Sequence, residues 1–159
     1  MKARPVSLSQ VTMTELVLPS HTNALGTIFG GTIMSWMDIA AAICAQRHSQ
    51  KQVVTVHVDD LEFIAPVFKG WVVNLRASVN HTARTSMEVG VRIDAENPMT
   101  NESFHTASAY LTFVALDSHG KPTPVAPIEP ITDEEKERFI AAEARREHRL
   151  KIKRQKSKP

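Results

Sequence analysis

The chain has 159 residues, 42% hydrophobic and 23% charged, which is the composition of one globular domain with a real core and leaves no room for two ordinary domains. A net charge of +2 is too small to imply a nucleic-acid partner for the whole protein, and no apolar run is long enough to cross a membrane. The first residues, MKARPVSLSQ, lack the apolar middle of a signal peptide, and the lone Cys44 cannot form an internal disulfide, so a cytoplasmic location is expected.

Val11 to Leu18 alternates apolar residues with Thr and Glu and predicts a first strand, ended by Pro19. A loop to Gly30-Gly31 follows, and then a run from Thr32 to Ala45 without proline or glycine. Its apolar residues, among them Ile33, Met34, Trp36, Met37, Ile39, Ile43 and Cys44, lie around the whole circumference, which predicts a buried helix. That helix carries one carboxylate, Asp38. Burying an unpaired carboxylate costs several kcal/mol or raises its pKa, so Asp38 is either a catalytic acid or an acid paired with Ser35, with a strand residue or at a subunit seam. The first N–H groups of the helix have no intrahelical partner, and Gly30 and Gly31 would let a substrate oxygen approach them, as in an oxyanion hole. Gly31 and Asp38 are seven residues apart, about two turns and roughly 10 Å along the axis, whereas reacting atoms must meet within about 3–3.5 Å. Two antiparallel copies of the helix across a twofold axis meet that demand, so an enzyme with this sequence is expected to be an obligate dimer.

Val53 to Ala65 predicts a strand with Val54, Val56 and Val58 on one face and Thr55, His57 and Asp59 on the other, the polar face turned to solvent, to another subunit or to a site. Trp71 to His81, Ser86 to Ala95 and Phe104 to Leu116 are three more strands. In the last, Ala107, Ala109 and Ala115 share a face with Leu111 and Phe113 and leave room for a helix. One strand, one long helix and four strands with hairpin-length links predict an α+β domain, an antiparallel sheet packed on the helix. Four prolines from Pro122 to Pro130 mark an extended exit, and Thr132 with Asp133, Glu134 and Glu135 starts a capped helix. The expected divisions are a domain over residues 8–131, a C-terminal helix over 132–150 and a disordered basic tail over 151–159. The seven histidines show no zinc-like spacing, so no metal is expected. Cys44 is expected to act as a small buried hydrophobe.

His21-Thr22-Asn23, Gly26, Gly30-Gly31, Met34 and Trp36-Met37-Asp38 resemble the signature of the hotdog-fold acyl-CoA thioesterases, in particular the bacterial YciA-like enzymes and the two halves of the brain-type acyl-CoA hydrolase. The resemblance implies a hotdog fold, a sheet wrapped around one long central helix. It also implies hydrolysis of fatty acyl-CoA to free acid and CoA without a cofactor, by a catalytic pair contributed by opposite hotdog units. By position the pair is Asn23 and Asp38, with Gly31 and Gly30 in the oxyanion-hole role. Asp38 would deprotonate water or attack to form an anhydride. A homodimer as catalytic unit, assembled as a trimer of dimers, is implied as well. Candidates for the CoA phosphates are Lys69 beside Gly70, Arg84-Thr85-Ser86, which resembles the family's nucleotide-contacting turn with Ala83 where glycine is often found, and the basic run beginning at Arg145. Two alternatives are a hotdog acyl-thioester dehydratase, with His21 facing the helix acid, and a non-catalytic acyl-CoA sensor.

Overall fold

The computed structural model describes residues 1–156. Strand β1 (Arg4–Pro5) and a 3-10 turn precede β2 (Val11–Leu16), and a second 3-10 turn at Pro19–His21 leads to the long helix α1 (Gly30–Ser49). Strands β3 (Gln52–Phe63), β4 (Val72–Thr82), β5 (Ser86–Asn97) and β6 (Glu102–Leu116) follow, and β7 (Ile128–Glu129) and helix α2 (Asp133–Lys156) end the described chain. The main sheet is antiparallel throughout, in the order β2-β4-β5-β6-β3, while β1 and β7 form a small parallel pair. The sheet wraps around α1, which is the hotdog arrangement.

Alternation decides which side of the sheet meets α1. Leu75 and Ala77 of β4, Val89 and Val91 of β5, and Ala109 and Leu111 of β6 are buried against Ile33, Met37, Ala40 and Cys44 of the helix. Ala107, Ala109 and Ala115 are fully buried, so the small residues of β6 give the helix its seat. Cys44 lies in this core and burial pushes its thiol up to about 12, which suits a small hydrophobe and not a nucleophile. The opposite face of the sheet carries α2 through Phe139, Ala142 and Arg145.

Three features depart from the sequence reading. Helix α1 is not buried on all sides: Met34 is 45% and Ile39 47% exposed, with Gly31 and Ser35 beside them on the uncovered side. The chain thus leaves an apolar stripe of its central helix uncovered. In β3 the register against β6 shifts between Thr55 and His57, so the strict alternation expected there is broken at Val56. Thr55 and Val58 pair with the inward residues Phe113 and Leu111, whereas His57 and Asp59 pair with Thr112 and Tyr110 on the outer side. The bulge places Thr55 on the helix side and leaves His57 and Asp59 on the outer one. Helix α2 continues to Lys156, six residues past the expected end at Leu150, so residues 151–156 are helical and not a disordered tail; residues 157–159 lie outside the described residues. Lys153, Arg154 and Lys156 in its last turn suit the negative end of the helix dipole. Its start is the reciprocal cap that was expected: Thr132 Oγ1 accepts the Glu135 N–H at 3.2 Å and Glu135 Oε2 accepts the Thr132 N–H at 3.1 Å.

His48, 1% exposed, donates from Nε2 to the Ala126 carbonyl at 2.8 Å and ties the end of α1 to the proline-rich exit. Burial lowers its pKa below 6.5 despite that bond, and burial does the same to His81 beneath α2. Both groups therefore bind a proton less readily in the fold than in the unfolded chain. Stability should be level above pH 6.5 and fall progressively as the pH drops below it. Urea unfolding measured from pH 7.5 to 5 should show that slope, and a His48→Gln, His81→Gln double variant should flatten it.

Candidate active site

Asp38 sits on the partly covered side of α1, two residues past Trp36, whose ring is buried. Its partner is a strand residue. Thr55 donates from Oγ1 to Asp38 Oδ1 at 2.7 Å, and Asp38 Oδ2 has no hydrogen bond among the described residues. Ser35 is exposed and takes no part. The bulge at Val56 makes this contact possible, because it aims Thr55 at the helix while the polar residues after it face outward. One carboxylate oxygen is thus held and the other is open, an arrangement that fixes the acid's direction and leaves it able to accept a proton.

The loop before α1 is a small hairpin. The Phe29 N–H bonds the His21 carbonyl at 2.8 Å, Thr22 and Ile28 form a bridge, and the Asn23 N–H bonds the Thr27 carbonyl at 2.9 Å. Asn23 Oδ1 accepts the Leu25 N–H at 2.9 Å, so its side chain closes the tip as an Asx turn. Gly26 completes that tip with φ +75°, a conformation that favours glycine. The hairpin delivers the chain to Phe29, whose side chain makes no cap bond to the helix. The N–H groups of Gly30 and Gly31 consequently have no acceptor among the described residues. A Cβ added at Gly31 would meet nothing within 4 Å, whereas one at Gly30 would touch the Phe63 ring at 3.4 Å. Of the two, Gly31 is the open position.

The Lys69-Gly70 turn lies against this hairpin. The Lys69 N–H bonds the Gly26 carbonyl at 3.2 Å, the Ile28 N–H bonds the Val67 carbonyl at 2.7 Å, and Gly70 has φ +84°. Arg84 and Thr85 lie at the other end of β4, in its link to β5, and Ser86 opens β5; Arg84 is exposed. Eleven residues of strand separate the two ends, roughly 33 Å. Within one chain Asn23, Gly30, Gly31, Lys69 and Gly70 therefore share one end of the fold. Thr55 pairs with Phe113, which pairs with Met87 beside the Arg84-Thr85-Ser86 turn. Asp38 and Thr55 thus lie toward the other end. Arg145 joins neither group. It lies on the far side of the sheet, where Nη2 donates to Glu88 Oε1 at 2.7 Å and the guanidinium covers the Tyr110 ring at 3.5 Å.

Sequence reasoning missed Thr55 as a site residue. The signal was a single hydroxyl in a valine-rich strand, but assumed alternation grouped it with His57 and Asp59. Among the described residues, no group of three or more His, Cys, Asp or Glu is placed to hold a metal ion, and no helix is long and apolar enough to cross a membrane.

Residues 25–102 match the thioesterase superfamily. An uncharacterized acyl-CoA thioester hydrolase of Bacillus subtilis is 42% identical over 127 residues, covering 80% of this chain and 74% of that protein. The chain belongs to the thioesterase superfamily. A hexameric acyl-CoA thioesterase, solved in its apo form, matches this thioesterase with a TM-score of 0.92 and 43% identity over 96% of this chain and 97% of that one. An acyl-CoA hydrolase from Staphylococcus aureus, solved with butyryl-CoA, CoA and CoA disulfide, matches with a TM-score of 0.89 and 38% identity over 98% and 94% of the two chains. That enzyme has also been solved as Asn-to-Ala, Asp-to-Ala and Thr-to-Ala variants, whose positions are 15 and 17 residues apart, the spacings of Asn23, Asp38 and Thr55 in this chain. The thioesterase spans 37% of the length of the rat cytosolic acyl coenzyme A thioester hydrolase, with 38% identity over 142 residues.

Proposed function

We propose that this chain hydrolyses acyl-CoA thioesters to a carboxylic acid and CoA at a site shared by two antiparallel subunits. The observation that carries the reading is the Asp38 carboxylate, held at Oδ1 by Thr55 with Oδ2 open, on a helix whose glycine start presents unbonded N–H groups about 10 Å away. One subunit offers the acid and the other offers Asn23 and the Gly30-Gly31 turn. The thioester oxygen rests on the Gly31 N–H, with Gly30 adjoining, and Asn23 orients the attacking water or the thioester. Asp38 takes a proton from that water as it attacks the carbonyl carbon, or attacks itself to form an anhydride that water then opens. Collapse of the tetrahedral intermediate breaks the carbon–sulfur bond, and the departing thiolate takes up a proton. No cofactor or metal is required, since CoA is part of the substrate.

In this dimer the Lys69-Gly70 turn of one subunit comes toward the Arg84-Thr85-Ser86 turn of the other, and these basic turns receive the CoA phosphates. Arg145, bonded to Glu88 on the far face, does not belong to that set. The uncovered Met34 and Ile39 of α1 and the free edge of β3 suit the dimer seam, and a trimer of such dimers accords with the hexameric relative. A cytoplasmic location belongs to the same reading, and the rat relative is named as cytosolic.

The decisive experiment is release of free CoA thiol from acyl-CoAs of short to long chain length. Turnover that survives gel filtration with the oligomer supports the hydrolase, and binding of acyl-CoA without thiol release would replace it with a non-catalytic sensor. Gly31→Ala supplies a sharper test of the oxyanion site. The added methyl meets no atom of its own chain within 4 Å, so the fold of the subunit should be kept. Its kcat should nonetheless fall, because the methyl stands where the thioester must approach. Unchanged turnover in that variant would remove Gly31 from the mechanism.

A further inference from the structure

The hairpin that carries Asn23 and ends at Gly30-Gly31 must be fixed relative to the sheet, and one histidine lies at its base. Val17, the residue before Leu18, is bonded to the sheet's own turn: its N–H meets the Trp71 carbonyl at 2.9 Å and its carbonyl meets the Gly70 N–H at 2.8 Å. From that anchored point Leu18 and His21 close a ring. The His21 N–H bonds the Leu18 carbonyl at 2.9 Å, and the Leu18 N–H returns a bond to His21 Nδ1 at 3.1 Å. The His21 carbonyl then accepts the Phe29 N–H immediately before the glycines. The ring itself stands edge-on to Trp36 of α1, 5.0 Å between centroids at 85°. A single residue thus touches the anchored end of β2, the leg of the hairpin that leads to α1, and the helix two residues before Asp38.

We infer that His21 is a positioning residue, whose Nδ1 lone pair sets the placement of Asn23 and the glycine turn. The inference rests on the hydrolase reading of the same site. Because Nδ1 accepts a backbone N–H it carries no proton, so the neutral ring holds its proton on Nε2. The requirement is for an acceptor at one atom and for an aromatic edge against Trp36, and the two can be separated. His21→Asn places Oδ1 where Nδ1 stands and keeps the acceptor. His21→Phe keeps the ring edge and loses the acceptor.

Steady-state thiol release is the activity readout. His21→Phe should lower kcat about 10- to 100-fold with KM nearly constant, the size of effect that a misplaced reacting group produces, and His21→Asn should recover most of the loss. Amide hydrogen exchange gives a readout independent of catalysis: the Leu18 N–H should be protected in the wild type and in His21→Asn and exposed in His21→Phe. Nitrogen NMR of the wild-type ring should show the Nε2–H tautomer. Full kcat in His21→Phe, equal losses in both variants, or the Nδ1–H tautomer would each overturn the assignment. A wild type that released no thiol would remove the hydrolase reading, and exchange and tautomer would still decide whether Nδ1 holds Leu18.

Discussion

Asp38→Asn is expected to lower kcat for thiol release by about 10²–10⁴-fold, the range for losing a general acid or base, with the oligomer and KM little changed. The asparagine keeps an oxygen to receive the Thr55 hydroxyl, so the loop, the helix and the 2.7 Å contact can persist. What disappears is the ability to take a proton or to attack. Thr55→Val removes the opposite half of the pair, leaving the charge and deleting the bond that aims it. A hydrogen bond to a charged group contributes about 1.5–3 kcal/mol, so that variant should lose roughly ten- to a hundredfold in kcat. The order Asp38→Asn worse than Thr55→Val follows if the threonine only directs the acid. Equal losses would mean that the hydroxyl takes part in the reaction, and a fully active Asp38→Asn would return the carboxylate to a structural role.

Arg145→Ala should cost about 3 kcal/mol of stability in urea unfolding while KM for acyl-CoA stays near the wild-type value. Glu88 beneath it has a side chain only 2% exposed and receives both Nη2 at 2.7 Å and Nε at 3.3 Å from Arg145. Burial alone would lower the guanidinium's pKa, and the bond to Glu88 together with the charges of Glu88, Tyr110 and Asp60 outweighs it, so the pKa lies above its ordinary value. Truncation leaves Glu88 with Arg149 at 3.4 Å and Asn80 at 3.4 Å and uncovers the Tyr110 ring. Helix α2, which docks through a seam containing two arginines, should loosen. A CoA-phosphate role would give the reverse pattern, a raised KM at constant stability. Glu88→Gln, which keeps the acceptor oxygen and discards the buried charge, should cost less than Arg145→Ala.

The elements were legible where the pattern is local. The apolar run and glycine start gave α1, the alanines of β6 announced the helix seat, and Thr132 with Glu135 gave a cap that exists as a reciprocal pair of bonds. Contacts between distant parts of the chain were not legible. The bulge at Val56 follows from how β3 meets β6, and it moved Thr55 to the acid's side of the sheet against the alternation of its own segment. Arg145 stands in a basic run by sequence, and its partner Glu88, 57 residues earlier and buried beneath α2, is brought to it only by the docking of that helix on the sheet. The uncovered Met34 and Ile39 also escaped a periodicity argument, which counts apolar residues without asking which chain covers them.

The glycine hairpin and the Thr55-bonded acid lie toward opposite ends of one chain. If each site draws one half from each subunit, defects in different halves are not equivalent to a defect repeated. A cell carrying two alleles, one lacking Asn23 and the other lacking Asp38, would make mixed dimers in which both lesions fall into the same site. The second site would be left whole. Two null alleles would then complement each other, and a genetic map of the protein would divide into two groups that follow the ends of the sheet.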